Sequence, residues 1–575
     1  MVKYLLLIFL AIGLLNSVSP AYSIQPKLSR TVTTAKNSLP TPASEVEAAV
    51  LTLTDIKDES RKPYIRFFST YAIPQNLQED AAYSLSYVCH LLMGPALTDI
   101  DNAGGYYPVA KKINGRFVPI QRSKYSNTLY WVDLREYNWT EEAWEKLSLT
   151  DGYFVEPVVE HFSNSALRLI AGNAIVRADW FVDHATDLTR QSDAELNARI
   201  YTDLLYARNK TPKNLKEWLE IWGVNNVEKS RTLGNEAGGL VLRSQVARHN
   251  RELFSYRTEF GWLYHTYDVK SQTGKRDYLE NFVANRGKPP TTDDGGEGFS
   301  FNSVGMLTAF MIRNGNDEFV DFGDPTLVYH LQDIVGDPRV RTATSCMDCH
   351  AAGPIPPRNI VKEYLKEMAD IKVYDYTDQL RIQRTFLSDK FEDSVSDGQV
   401  HYARSLLKVN GLTPEENGKA YLNIVSWYRQ PLSLQQVLIE CGISEQEFFE
   451  RIEKTKEVFS NPKIPARLAV LLVNDELLPR DVWESPGRDG IPGTFQQTMI
   501  ALYGITRVTE SITELPLQYT VIVERCNIYH GATVVQTVIS GEKLEYLGKV
   551  SEDGRWLLVK YHNQTGWIKK EEARQ

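Results

Sequence analysis

Residues 343–354 read ATSCMDCHAAGP, which sets two of the chain's five cysteines and one of its ten histidines inside five consecutive positions. That packing restricts the chain more than any other feature does. Four chemistries use paired cysteines: a disulfide, a thioredoxin-like C-x-x-C, a zinc site and covalent haem attachment. A structural zinc site needs four ligands, and no second C-x-x-C or H-x-x-x-H pair is present. A thioredoxin-like pair wants a strand before it and a helix that starts at the first cysteine. A disulfide accounts for Cys346 and Cys349 and leaves His350 without a role. Haem attachment uses all three residues. Each thiol adds to one vinyl group of a single porphyrin, and the histidine directly after the second thiol lies under the iron as proximal ligand.

The compartment bears on the choice. MVKYLLLIFLAIGLLNSVSPAYS starts with Lys3, runs apolar from Tyr4 to Leu15 and ends with the small residues Ala21 and Ser23, the three regions of a secretory signal. The run is too short to cross a bilayer comfortably, and no second one follows. The sequence therefore predicts a signal peptide over residues 1–23 and an exported protein, periplasmic or in the cell envelope. Disulfides persist in such a compartment, and c-type haem is attached on the outer side of the bacterial membrane. The formal charge of −9 becomes −10 once Lys3 leaves with the signal. An acidic balance lacks the cationic excess that a phosphate backbone demands, which excludes nucleic acid as a partner.

CMDCH, the Gly/Pro turn AAGPIPPRN and the helical spacing of Ile360, Tyr364, Leu365 and Met368 together resemble the haem-binding segment of a cytochrome c. Within that resemblance Cys346 and Cys349 are the thioether positions of one covalent haem c, and His350 is the proximal iron ligand. The resemblance also implies a methionine on the opposite haem face. After His350 only Met368 and Met499 remain, the first close to the motif and the second in a different segment. Candidates elsewhere for the distal position are His249, Met306, Met311 and His401. The two methionines of SVGMLTAFMI also read as core packing, the two histidines as solvated residues of polar helices, and a vacant distal position fits equally well.

At 575 residues the chain is too long for one core, and it changes character along its length. A Ser/Thr/Pro-rich leader is expected over 24–47 and an α+β module over 48–345. In the module, LQEDAAYSLSYVCHLLMG reads as a helix with Cys89 and His90 as core residues, and TLYWVDLREYNWTEEAWEKL as strand, turn and helix capped near Thr140. Asp133, Arg135 and Glu136 read as a structural ion-pair network. NLKEWLEIWGV and LRSQVARHNREL read as helices, FGWLYHTYDV as a strand, and TTDDGGEGFSFN as a Gly-rich turn without the alternating carboxylates of a calcium loop. An all-α haem-binding region follows over 346–460, with capping boxes at Thr413-x-x-Glu416 and Ser444-x-x-Glu447 and a helix break at Gly442. A Pro-punctuated connector occupies 461–514.

The order of WVDLREYNW, IVRADWF, FGWLYHTYDV, GGEGFSFNSVGMLTAF and SCMDCHAAG resembles that of large uncharacterised bacterial exported proteins with a mono-haem cytochrome c domain, loosely over residues 60–460. That resemblance implies a haem segment after a sizeable module and brings no substrate. Residues 515–575 alternate apolar and polar positions in short runs, the pattern of a small all-β barrel. With Cys526-Asn527-Ile528, Gly541, Leu547-Gly548, Gly554, Trp556 and Gly566-Trp567-Ile568 the stretch resembles a bacterial SH3 domain, although Tyr529 and His530 stand where that family usually has Arg and Ser.

Two functional classes follow. One is an exported c-type cytochrome that exchanges electrons with redox partner proteins of the envelope, with peroxidase-like catalysis at the iron as a sub-case. The other is an envelope binding or sensing protein. In it the SH3-like domain binds a cell-wall peptide or protein ligand, and the haem is sensory or structural. Cys89, Cys441 and Cys526 are expected as buried free thiols.

Overall fold

The computed structural model describes residues 41–94, 98–100, 106–108, 119–150, 153, 175–185, 200–206, 211–232, 236–241, 246–247, 251–268, 294–329, 339–356, 374–386, 389–458, 468, 471, 476–485, 493–503, 518–521, 525–530, 533–540, 542–551, 555–562 and 564–574. The expected signal peptide, His249, Met368 and the helix expected over 358–371 lie outside these residues. What is described is a mixed α and β protein with several antiparallel sheets.

Helix α1 (Pro42–Asp55) starts six residues inside the expected leader. Thr41 Oγ1 accepts from the Ser44 amide at 3.2 Å and Ser44 Oγ accepts from the Thr41 amide at 2.9 Å, so a reciprocal cap, with Pro42 at the first position, outweighs the polar composition. The first sheet has four strands, β1 (Ile65–Ser69), β2 (Gln121–Arg122), β3 (Leu129–Asp133) and β4 (Ile175–Arg177), in the order β2-β3-β1-β4. β1 pairs antiparallel with β3 and parallel with β4. Helices α2 (Gln78–Leu91), α3 (Glu141–Thr150) and α4 (Ala178–His184) belong to this part, with α3 capped by Thr140 Oγ1 on the Ala143 amide at 3.1 Å. Helix α5 (Leu215–Ile221) is capped by Asn214.

The second sheet is an antiparallel meander, β5 (Glu236–Val241), β6 (Arg251–Thr258), β7 (Gly261–Asp268), β8 (Gly295–Phe301) and β9 (Leu307–Asn314), each strand paired with the next. Two expectations are corrected here. The helix expected over LRSQVARHNREL is absent from its described part: Ala247 bridges Val328 and Arg251–Leu253 begin β6. The Gly-rich turn expected at GGEGFSF is β8 itself. Its glycines leave room for neighbours, since a Cβ on Gly298 would lie 2.8 Å from Met311 Cε and 3.1 Å from His265 Cβ.

Then come α6 (Thr344–His350), α7 (Tyr376–Phe386), α8 (Lys390–Val409), α9 (Pro414–Tyr428), α10 (Leu434–Cys441) and α11 (Glu445–Val458). The capping box at Thr413 and Glu416 is present, Ser444 Oγ caps the Glu447 amide at 3.3 Å, and Gly442 ends α10 with φ 64°. The stretch expected as a connector instead holds α12 (Arg480–Glu484) and α13 (Thr494–Tyr503). Trp483, Phe495 and Met499 are buried in the main apolar cluster, which draws on residues from Phe68 to Leu502 and includes Met347 and Ala351 of the motif region. Proline spacing concealed two short helices whose stability comes from that burial rather than from propensity.

A buried polar network ties the early and late parts together. Glu440, 1% exposed, receives Arg177 Nη1 at 2.7 Å, Arg480 Nη1 at 2.5 Å and Trp483 Nε1 at 2.7 Å, and its carbonyl accepts from Tyr71 at 2.6 Å. Asp179 pairs with Arg177, and Asp183 with Arg429. Despite burial, the two guanidinium groups hold the Glu440 carboxyl down at about 2.

The C-terminal sheet has seven antiparallel strands, β10 (Gln518–Val521), β11 (Arg525–His530), β12 (Thr533–Ile539), β13 (Lys543–Val550), β14 (Trp556–Tyr561), β15 (Gln564–Lys569) and β16 (Ala573–Arg574), in the order β12-β11-β15-β14-β13-β10-β16. Cys526, Ile528, Leu544, Leu557, Val559 and Ile568 lie in an apolar cluster of their own.

Candidate functional site

Helix α6 is entered through a strained residue. Ala343 has φ 65° and ψ −59°, a conformation that L-residues rarely take. Ser345 Oγ accepts from the Arg341 amide at 2.9 Å and the Thr342 amide donates to Asp321 O at 2.9 Å, which pins the entry. The helix then sorts its residues by face. Met347 and Ala351, four apart, are buried. Cys346, Cys349 and His350 are half-buried, at spacings of three and four that share a face, and neither cysteine is in a disulfide.

Two tyrosines hold the inner face. Tyr402 of α8 donates from its hydroxyl to Ala351 O at 2.8 Å, and the Tyr87 hydroxyl of α2 lies 3.0 Å from that of Tyr402 and 3.6 Å from Met347 Sδ. Asn417 of α9 donates to the same Ala351 carbonyl at 3.4 Å. At the end of the motif Gly353 has φ 104°, and a Cβ there would sit 2.7 Å from the Tyr402 ring, so both conformation and space call for glycine. This places the Gly353 carbonyl 3.2 Å from His350 Nδ1. A ring that donates from Nδ1 to a backbone carbonyl presents Nε2 as its free coordinating nitrogen.

The outer face meets β8. Phe299 packs on His350 with ring centroids 4.8 Å apart. Glu297, two residues earlier on the strand, pairs with Arg251. Burial lowers the His350 imidazole, opposed by the Glu297 charge. Burial raises the Cys346 thiol, and it pushes Cys349 up to about 11 with help from Asp348 and Glu297. A thioredoxin-type nucleophile needs the opposite shift, and α6 starts before Cys346 rather than at it, with isolated bridges instead of a strand ahead of it. Among the described residues no three His, Cys, Asp or Glu side chains are gathered to hold a metal ion directly.

The distal candidates separate. Met311 pairs with Gly298 across β8 and β9 and lies over it, whereas Phe299, the next residue, carries His350 on the other face of the strand. Met311 therefore packs in the main apolar core, on the face of β8 away from His350. Met306 is fully buried in the β8–β9 hairpin, where its amide donates to Asn302 Oδ1 at 3.0 Å. His401 is exposed on α8, and its ring lies 5.2 Å from Phe301. Phe299 and Phe301 both pack on Tyr264, so His350 and His401 share one face of β8, over rings about 7 Å apart along the strand. Gly305 permits this approach. With φ 83°, a Cβ there would meet Ser405 Oγ and lie 2.7 Å from His401 Nε2.

The Asp133 set is the expected ion-pair network, with Arg61 at 3.1 Å and Arg135 at 2.7 Å. Cys89, Cys441 and Cys526 are buried and form no disulfide, and His90 is fully buried with Nδ1 2.7 Å from Ser86 O. Sequence reading missed Phe299, Tyr402 and Tyr87, and it took Gly353 only as part of a Gly/Pro turn.

Comparison with protein-family models, with curated proteins and with solved structures returned no match. The reading of the site rests on its own geometry.

Proposed function

We propose that this chain is an exported c-type cytochrome. It carries one haem c bonded through Cys346 and Cys349, with His350 on the iron, and exchanges single electrons with redox partner proteins of the cell envelope. The observation that carries this reading is the donor set of α6: two half-buried thiols outside any disulfide and an imidazole on one face, with the imidazole Nδ1 engaged and Nε2 left for coordination. That set fits the group. When bound, a haem supplies reversible one-electron chemistry. The chain's own part is to orient the ring through Gly353 and to anchor the inner face of the helix on Tyr402 and Tyr87. In this reading the helices of 346–460 are a cytochrome c-like region.

The C-terminal sheet supports a second role. Its seven antiparallel strands, separate apolar core and exposed Val534 and Ile539 fit a bacterial SH3-like barrel that binds a cell-wall peptide or protein ligand.

The test is intact mass and visible spectroscopy of the full chain produced in a host competent for c-type maturation. The expected result is the added mass of one haem, absent from the Cys346→Ser/Cys349→Ser variant. An unchanged mass for the parent protein refutes the assignment. A low-spin spectrum inert to carbon monoxide supports electron transfer, and a high-spin spectrum that responds to it supports catalysis or sensing.

A further inference from the structure

Strand β12 is one edge of the C-terminal sheet. Every second residue of an edge strand turns its N–H and C=O away from its only neighbour, and those groups form a template for a further strand. Among the described residues two bonds reach the β12 backbone from outside its pairing with β11. Gln536 Nε2 donates to Thr537 O at 3.3 Å, and the Glu542 amide donates to Ile539 O at 3.3 Å. The other outward backbone groups of the strand have no protein partner among the described residues.

Proteins blunt an exposed edge with charge, with proline or by keeping the strand very short. β12 has seven residues, TVVQTVI, without a charge or a proline, and six of them are β-branched. Val534, Thr537 and Ile539 are exposed, the first and last at 45% and 59%. A bulge at Val535 bends the start of the strand, because Ile528 pairs with Gln536 and Tyr529 with Val534, and the ladder is regular from Gln536 to Ile539. The opposite edge of the sheet, β16, has two residues, one of them Arg574.

These features choose the occupant. An uncharged strand accepts its own copy with no like charges opposed, and an antiparallel overlap of β12 with itself sets β-branched residues against β-branched residues. β16 is too short to template a strand, so edge-to-edge growth has no second site and association closes at two copies. We propose that the chain self-associates through β12, laid antiparallel to β12 of a second copy about a two-fold axis, so that two C-terminal sheets become one. A single strand edge is a small interface, and the association is accordingly reversible and concentration-dependent. Gln536 is the centre of the strand, which places Thr537 of one copy diagonal to Thr537 of the other, and pairing confined to Gln536–Ile539 brings them at least as close. The interface stands apart from haem attachment, so a monomeric result leaves the haem reading untouched.

Sedimentation equilibrium of the full chain from about 1 to about 100 µM tests this. A reversible equilibrium between monomer and dimer is expected. Thr537→Lys and Thr537→Glu each set like charges beside the two-fold axis at an exposed position, and each is expected to weaken dimerisation about tenfold or more, while an equimolar mixture of the two regains it. Amide exchange over Gln536–Ile539 is expected to slow as the concentration of the parent chain rises, and this measurement decides the matter if a variant fails to fold. Monomer mass at every concentration overturns the proposal, as does growth beyond two copies. So does a dimer that neither folded variant weakens, or a mixture of folded variants that regains nothing.

Discussion

Glu440→Gln removes the one anion that Arg177 and Arg480 share. Arg177 keeps Asp179, but Arg480 is left with Tyr153 as its hydroxyl partner at 2.7 Å, while its Nε and Nη2 already lack partners. Removing one member of a buried pair costs about 3–5 kcal/mol, because the remaining charge stays buried without compensation. The carboxyl value gives a second route to the magnitude. Held at about 2 instead of 4.5, the group contributes on the order of 3 kcal/mol at neutral pH. A carboxyl whose folded value is depressed stabilises the fold above its unfolded value, and that contribution is lost as pH falls from about 4.5 to 2. Parent and variant should therefore differ by about 3 kcal/mol at pH 7 and converge toward pH 2. Hydrogen exchange over Leu434–Cys441 and Arg480–Glu484, read beside urea unfolding, follows this region without assuming that the whole chain unfolds at once. A loss under about 1 kcal/mol at pH 7, or an equal loss at pH 7 and pH 2, would refute the reasoning.

Asp268 has the opposite sign. Its folded value of about 6 lies above the ordinary 3.8, so its contribution to stability grows as pH falls from about 6 to 4, and Asp268→Asn is expected to flatten that part of the stability profile. Gly305→Ala places a methyl against Ser405 and His401 at φ 83° and is expected to destabilise by about 2–4 kcal/mol in urea titration, with partial recovery in Gly305→Ala/Ser405→Gly. If Ser405→Gly recovers nothing, the close approach is not the cause. Ala343→Gly relaxes the strained entry to α6, and a gain of about 1 kcal/mol is expected after the extra chain entropy of glycine; a loss contradicts the strain.

Local signals in the sequence transferred well where the physics is local. The caps at Thr140, Thr413 and Ser444, the break at Gly442 and the core positions of Cys89 and His90 are decided within one or two turns. The errors fall where a distant partner decides. GGEGFSF carries turn residues, yet it is an interior strand because β7 and β9 flank it and need its glycines. The Pro-spaced stretch before residue 514 hides α12 and α13, which the core around Trp483 stabilises. At the candidate site, the three-and-four spacing of Cys346, Cys349 and His350 puts them on one helix face, whereas spacing cannot name Tyr402, which is 51 residues from the carbonyl it binds.

The Tyr71 hydroxyl meets the Glu440 carbonyl across 369 positions, and Arg177 reaches Glu440 across 263. A chain emerging from its amino end therefore holds half of its central polar cluster long before the counter-charges arrive. The core that takes in Met347 and Ala351 also takes in Trp483, Phe495 and Met499, so it has all its members only once α12 and α13 have been made. Shortened chains that stop before Arg480 should consequently remain soft and protease-sensitive, whereas those ending after Tyr503 should close.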